Sequence, residues 1–280
     1  MKERVMLKKV EMTVLIDNVA AEPLLDEWGL SILISADNRK ILLDTGAGSL
    51  FAQNAETLGI DLSDVDAGVL SHAHYDHADG MDTFFALNRK APFFVREGAC
   101  ENCYGKKEGA LNYIGIRRGI LAGFENRIQY VKGVCEMAEG IWLILHRKRD
   151  YSSIALRNDL YAVHNGTCSP DDFAHEQSLV FDTEKGLVVF NSCSHTGMTN
   201  ILEDIREMLG RNDICAYVGG LHLYHMTDEE LGVLCGEIKQ TSIGHIFTGH
   251  CTGDHAFSVL KSALGGRIEQ FASGFSYCFS

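Results

Sequence analysis

The sequence predicts an α/β layered architecture. Three observations carry the prediction: short aliphatic runs with strand character recur along the chain, amphipathic stretches of helical period lie between many of them, and capping or stop signals bound those stretches. The strand runs cover residues 31–35, 41–43, 67–70, 92–96, 141–146, 179–182, 187–191, 215–218 and 245–248, after an alternating segment from Val5 to Ile16. The clearest helix covers 198–209, where Ile201, Leu202, Ile205, Met208 and Leu209 share one face and Gly210 supplies the stop. A second opens at Thr227 with Glu230 three residues on, a capping box, and buries Leu231, Leu234, Cys235 and Ile238. A third covers 254–264 and ends at Gly265-Gly266.

With 280 residues, 46% of them apolar and 22% charged, the chain can bury a substantial core. It has three prolines and no low-complexity stretch, so residues 1–280 read as a single domain. Within it, residues 98–151 look like a less regular insertion. That insertion carries Lys106, Lys107, Arg117, Arg118, Arg147, Lys148 and Arg149, either as solvated surface or as a lid offering positive charge to a small anionic substrate.

The net charge of −13 argues against nucleic acid as a partner. The N-terminus lacks the apolar core of a signal peptide, and no apolar run approaches the roughly 20 residues that span a bilayer, so a cytoplasmic protein without a membrane partner is expected. Nine cysteines, an odd number without a framework, fit reduced thiols, and Cys100 with Cys103 reads as an ordinary loop pair.

The chemistry is concentrated in Ser71-His72-Ala73-His74-Tyr75-Asp76-His77-Ala78-Asp79-Gly80, directly after the strand run 67–70. His72 and His74, two apart on extended backbone, point to the same side and can grip one ion. The chain then turns, freeing Asp76 and His77 for a second ion close by. Imidazole with carboxylate suits zinc, and also iron or manganese; the cluster itself has no cysteine, which argues against a purely structural thiolate site.

On these residues the chain resembles the metallo-β-lactamase superfamily, whose signature is His-x-His-x-Asp-His after a strand. The resemblance implies an αββα sandwich, two mixed β-sheets flanked by helices. Leu42-Leu43-Asp44-Thr45-Gly46 looks like the family's strand-turn motif, which implies that Asp44 orients the ligand loop from behind. His195 in Asn191-Ser192-Cys193-Ser194-His195-Thr196-Gly197 and His250 in Thr248-Gly249-His250-Cys251-Thr252-Gly253 match the later histidine motifs. By that resemblance His72, His74 and His195 hold a first zinc ion, and Asp76, His77 and His250 a second.

One position departs from the pattern. The family usually places a bridging aspartate between the last two histidine motifs, where this chain reads Val218-Gly219-Gly220-Leu221-His222-Leu223; neither Asp213 nor Asp228 fits. His222 is therefore expected as a ligand or a substrate-facing group. A narrower likeness, in Val14-Leu15-Ile16-Asp17-Asn18, Trp28-Gly29-Leu30-Ser31, the Gly219 to Leu223 segment and the His250 ending, is to the subgroup labelled 7,8-dihydropterin-6-methyl-4-(β-D-ribofuranosyl)aminobenzene-5′-phosphate synthase.

The expected function is metal-dependent hydrolysis, in which hydroxide generated on the metal attacks an ester, lactone, thioester, amide or phosphoester centre. Asp76 would orient the nucleophile, and His222, with Tyr224 and His225 as further candidates, would steady the oxyanion or protonate the leaving group. The alternative implied by the subgroup is a transferase joining a dihydropterin to an arylamine ribose phosphate. Iron-based electron transfer is disfavoured because no flavin-binding glycine motif is present. His175-Glu176-Gln177 reads as a substrate contact or a surface cluster, and His146, His164 and His245 as core or strand-end residues.

Overall fold

The computed structural model describes residues 5–279. Its first half runs β1 (Val10–Ile16), β2 (Ser31–Ala36), β3 (Arg39–Leu43), α1 (Leu50–Thr57), β4 (Ala67–Val69), α2 (Tyr75–Ala78), α3 (Met81–Leu87) and β5 (Phe93–Arg96). The middle runs β6 (Cys103–Lys107), β7 (Ala110–Tyr113), α4 (Ile120–Gly123), β8 (Ile128–Val131), β9 (Cys135–Ala138), β10 (Ile141–Leu145), α5 (Ser152–Arg157), β11 (Leu160–His164) and β12 (Thr167–Pro170). The remainder is β13 (Gln177–Thr183), β14 (Gly186–Phe190), α6 (Met198–Leu209), β15 (Ile214–Val218), α7 (Asp228–Gln240), β16 (His245–Thr248), α8 (Asp254–Leu264), β17 (Ile268–Gln270) and β18 (Ser276–Cys278).

Two large mixed sheets follow, ordered β18-β1-β2-β3-β4-β5-β8 and β17-β16-β15-β14-β13-β10-β9. Their central strands are buried on both faces, and alternate side chains go to different layers. On β2, Ile32 and Ile34 join the core between the sheets while Leu33 joins the core beneath the first-half helices. On β14, Val188 and Phe190 face the other sheet while Leu187 and Val189 face α6 to α8. Helices, sheet, sheet, helices is the αββα sandwich. Both expected helix spans, 198–209 and 254–264, and the Thr227 and Glu230 capping box are present as read from the sequence. Among the described residues no helix is long and apolar enough to cross a membrane.

Residues 98–151 are more ordered than their sequence suggested. β8 extends one large sheet and β9 with β10 extends the other, while β6 and β7 join β11 and β12 in a small sheet of order β12-β11-β6-β7. This small sheet is tied to the ligand loop: the Tyr75 N–H donates to the Ile114 carbonyl and the Ile116 N–H to the Ala73 carbonyl. Of the basic residues read as either solvated surface or a lid, four are engaged in pairs elsewhere. Arg147 and Arg149 pair with Asp204, which is buried on α6, and with Glu207 and Glu203 beside it. Arg117 pairs with Asp82 at 2.6 Å, and Arg118 donates to the Tyr104 hydroxyl.

The loops that leave the C-terminal ends of β1, β3, β4, β14, β15 and β16 converge at one edge of the sandwich, the edge where α/β folds build sites. Gly80, between α2 and α3, allows the loop after β4 to approach closely: a methyl group there would overlap the carbonyl oxygens of Thr45 and Gly48. Gly80→Ala is therefore expected to destabilise the protein by about 1–3 kcal/mol, read from urea unfolding, and to displace Asp76 and His77. An unchanged unfolding midpoint would contradict this close packing.

Candidate metal centre

Two groups of ligand-type side chains lie side by side. His72 and His74 follow β4 through a bend, His74 on extended backbone, and the single turn of α2 then brings Asp76 and His77 back toward them. His195 arrives from the loop after β14 and His250 from the end of β16. All six side chains are buried.

In the first group the rings of His72, His74 and His195 form an even triangle, each pair of centroids 4.7 Å apart. Nε2 of His72, Nε2 of His74 and both ring nitrogens of His195 are buried without a hydrogen-bond partner. Such atoms are rare in folded proteins because each costs its lost hydration. Burial, reinforced by the neighbouring imidazoles, pushes His72 and His195 well below the ordinary imidazole range and His74 down to about 3. The rings are thus neutral and carry free lone pairs, the state a cation requires.

In the second group His77 Nε2 and His250 Nε2 are 3.1 Å apart, and Asp76 Oδ2 lies 3.4 Å from His250 Nε2 and 3.7 Å from His77 Nε2. Ligands on one tetrahedral ion at about 2.0–2.1 Å are separated by roughly 3.3 Å, so these edges are of the right size. Burial opposes the charge on Asp76, but His77, His250 and His74 outweigh it and hold the carboxyl below the usual range. His250 shows the converse: burial lowers its pKa, yet Asp76 raises it to about 9, so a proton stands where a cation would be held.

The nitrogens that face away are fixed by partners. Asp44 accepts the Ser71 N–H at 2.7 Å and the Ser71 hydroxyl at 2.6 Å, and its Oδ2 lies 2.8 Å from His77 Nδ1. Ser71 Oγ in turn lies 2.8 Å from His72 Nδ1. With the hydroxyl proton given to Asp44, His72 Nδ1–H donates to Ser71 and His77 Nδ1–H to Asp44, leaving both Nε2 lone pairs for the centre. Asn18 Oδ1, 3.0 Å from His250 Nδ1, does the same for the third ring, while Asp17 accepts the His250 N–H. Asp44, Ser194, His222 and His250 all have φ near +50°, strain that persists only where surroundings enforce it.

The structure therefore brings together His72, His74, Asp76, His77, His195 and His250, with Asp44 behind them. His222 adjoins the first group: its ring is 4.4 Å from that of His195, its Nδ1 is buried without a partner, and it lines the neighbouring cavity. Tyr224 reaches the His250 carbonyl, and His225 is exposed beyond it. Glu176 is neither a substrate contact nor a surface group: it is buried and accepts the N–H groups of His195 and Thr196 and the Thr196 hydroxyl. Asn18, Ser71 and Cys193 were not singled out as site residues, although each lies within a motif-like string of the sequence.

A cavity of about 380 Å³ opens beside His195 and His222. Met198, Leu221, Leu223, Met226, Val233 and Leu234 give it apolar walls, and Arg157, Glu229, Glu230 and Glu237 are its charged residues.

Fold and site point to a class. Residues 29–162 match the family model of the metallo-β-lactamase superfamily, and this match together with the sandwich fold supports membership of that superfamily. It is 26% identical over 277 residues to a 7,8-dihydropterin-6-methyl-4-(β-D-ribofuranosyl)aminobenzene-5′-phosphate synthase of Methanocaldococcus jannaschii, covering 90% of each chain. A solved structure described as a metal-dependent hydrolase of the β-lactamase superfamily superposes with a TM-score of 0.80 at 28% identity, covering 96% of this chain and 98% of the other. A metallo-β-lactamase-fold protein from Bacillus subtilis shares the fold at 13% identity, with a TM-score of 0.55 over 97% and 99% of the two chains.

Two outcomes are expected from this geometry. Asp44→Asn should weaken zinc binding about 10–100-fold in a competitive chelator titration with the fold retained; undiminished affinity would remove Asp44 from its orienting role. The metal-free protein should also lose stability as pH falls below about 6.5. His72, His74, His195 and His222 have lowered pKa values, so the unfolded chain takes up protons that the folded one refuses. His250 is raised, and its contribution is complete in that range and is lost only as pH rises. Urea midpoints at about pH 5 and about pH 7 check this, and a midpoint no lower at acid pH would contradict it.

Proposed function

We propose that the chain is a metal-dependent hydrolase of a small molecule, acting at an ester, lactone, thioester, amide or phosphoester centre. One observation carries the reading: buried, neutral imidazole nitrogens without hydrogen-bond partners lie next to a second, carboxylate-containing ligand group, and one of those imidazoles, His195, lines a cavity open to solvent. His72, His74 and His195 would hold one ion and Asp76, His77 and His250 the other. Zinc, or iron or manganese in its place, supplies Lewis acidity and lowers the pKa of water from about 15.7 to roughly 7.

The chain's own groups then have distinct tasks. Asp76, ionised among three histidines, orients the attacking water from its metal-facing carboxylate. His222 is pushed down to about 4 by burial, so it is neutral and suited to donating a hydrogen bond to developing negative charge. The apolar cavity walls admit the rest of the substrate and exclude water. An anionic substrate, expected from the basic insertion, gains little from these walls, where three glutamates accompany one arginine that is already paired with Glu230 at 3.0 Å. Nine free cysteines fit work in the reducing cytoplasm.

A second reading has its own support. The relative in Methanocaldococcus jannaschii is named as a synthase, and at the rim Trp28 and Tyr224, both nearly half exposed, stand 5.8 Å apart with Trp28 5.2 Å from His250. Such rings can stack a planar heterocycle, as a transferase joining a dihydropterin to an arylamine ribose phosphate would require. Metal analysis followed by product analysis separates the two. Hydrolysis across an ester, lactone, thioester and phosphoester panel supports the first reading; condensation of the pterin and arylamine pair without hydrolysis replaces it with the second. Asp76→Ala should abolish turnover in either case with an unchanged circular dichroism spectrum, and full activity in the metal-replete variant would refute the role given to Asp76.

A further inference from the structure

Cys193 lies inside the third histidine motif, two residues before His195, and its side chain turns toward the second ligand group. Its Sγ is 3.2 Å from His77 Nε2, the same atom that approaches His250 and Asp76. It also belongs to two sets of ligand atoms lying within 4.8 Å of one another, one with His72 and His77 and the other with His250 and Cys251. Both sulfurs are buried. The strand end that ought to carry a bridging carboxylate instead carries Gly219 and Gly220, and a side chain at Gly220 would strike the Cys251 sulfur. The absence of that carboxylate therefore makes room for the thiol pair.

We infer that Cys193 is a thiolate ligand of the second metal position, standing in for the missing carboxylate and reaching toward the first position. As the ion binds, the Cys193 thiol releases its proton to solvent and the sulfur lone pair takes the vacated place. Cys251 has a different part. Its single thiol proton has two acceptors within reach, Cys193 Sγ at 3.4 Å and the Cys193 carbonyl at 3.7 Å, so Cys251 braces the loop that carries Cys193 without being needed as a ligand. A sulfur ligand also biases the second position toward softer ions such as zinc or cobalt over manganese.

The inference rests on the metal-centre reading, and the test separates the two. Apoprotein is titrated with cobalt(II), and bound cobalt is counted while the near-ultraviolet thiolate-to-cobalt charge-transfer band is followed. The band should grow with the second equivalent, vanish in Cys193→Ser and persist in Cys251→Ser. Two equivalents bound without the band, or a band that survives in Cys193→Ser, would overturn the assignment while leaving the metal centre intact. Failure to bind cobalt at all would overturn both. Should Cys193→Ser not fold, X-ray absorption of the zinc-loaded Cys251→Ser protein decides: a sulfur shell at about 2.3 Å supports Cys193, and a shell of nitrogen and oxygen only rejects it.

Discussion

The carboxylate of Asp44 is the point on which the site turns. It is buried at the end of β3, it takes both hydrogen-bond donors of Ser71, and it faces His77. A buried carboxylate without partners would cost several kcal/mol; here its lone pairs are used by the residue before His72 and by His77 itself. One side chain thereby sets the direction of the whole ligand loop. It also fixes which ring nitrogen of His72 and of His77 carries the proton, and so which lone pairs face inward.

The two ligand groups differ electrostatically. The first consists of imidazoles alone, all neutral and crowded, with nitrogens that nothing in the protein satisfies. The second contains the Asp76 carboxylate and a His250 whose pKa is raised, so within the protein it behaves as an ion pair awaiting exchange of a proton for a metal. The first group is costly when empty and the second is partly self-compensated. Filling the first therefore relieves the larger desolvation penalty.

Much of this was legible in the sequence where one physical rule dominated. Strands buried on both faces read as continuous aliphatic runs, and α6, α7 and α8 read from helical spacing and caps. The small sheet did not, because β6, β7 and β12 are largely exposed and polar and leave no apolar period. Its turn was nonetheless written in Asn165-Gly166, both with positive φ, the strongest short hairpin signal. The ligands stood out because they recur in compact motifs. The role of Glu176, and that of Asn18 within its motif-like string, did not, since each acts through hydrogen bonds to residues distant in sequence, His195 and His250, for which no local spacing exists.

The candidate ligands come from two separate halves of the chain, and neither half completes a group. His72, His74, Asp76 and His77 belong to the β1 to β8 sheet, while His195 and His250 belong to the sheet that contains β14 and β16. What brings them within a few ångströms is the apolar layer between the sheets, in which Ile32, Ile34 and Leu43 from one sheet join Val188, Phe190 and Phe247 from the other. Because side chains alternate with a period of two, a one-residue slip of β14 would turn Phe190 outward and displace His195 with it. The register that buries the greasy faces is thus the same register that assembles the polar centre, and the chemistry is held in place by packing that takes no part in it.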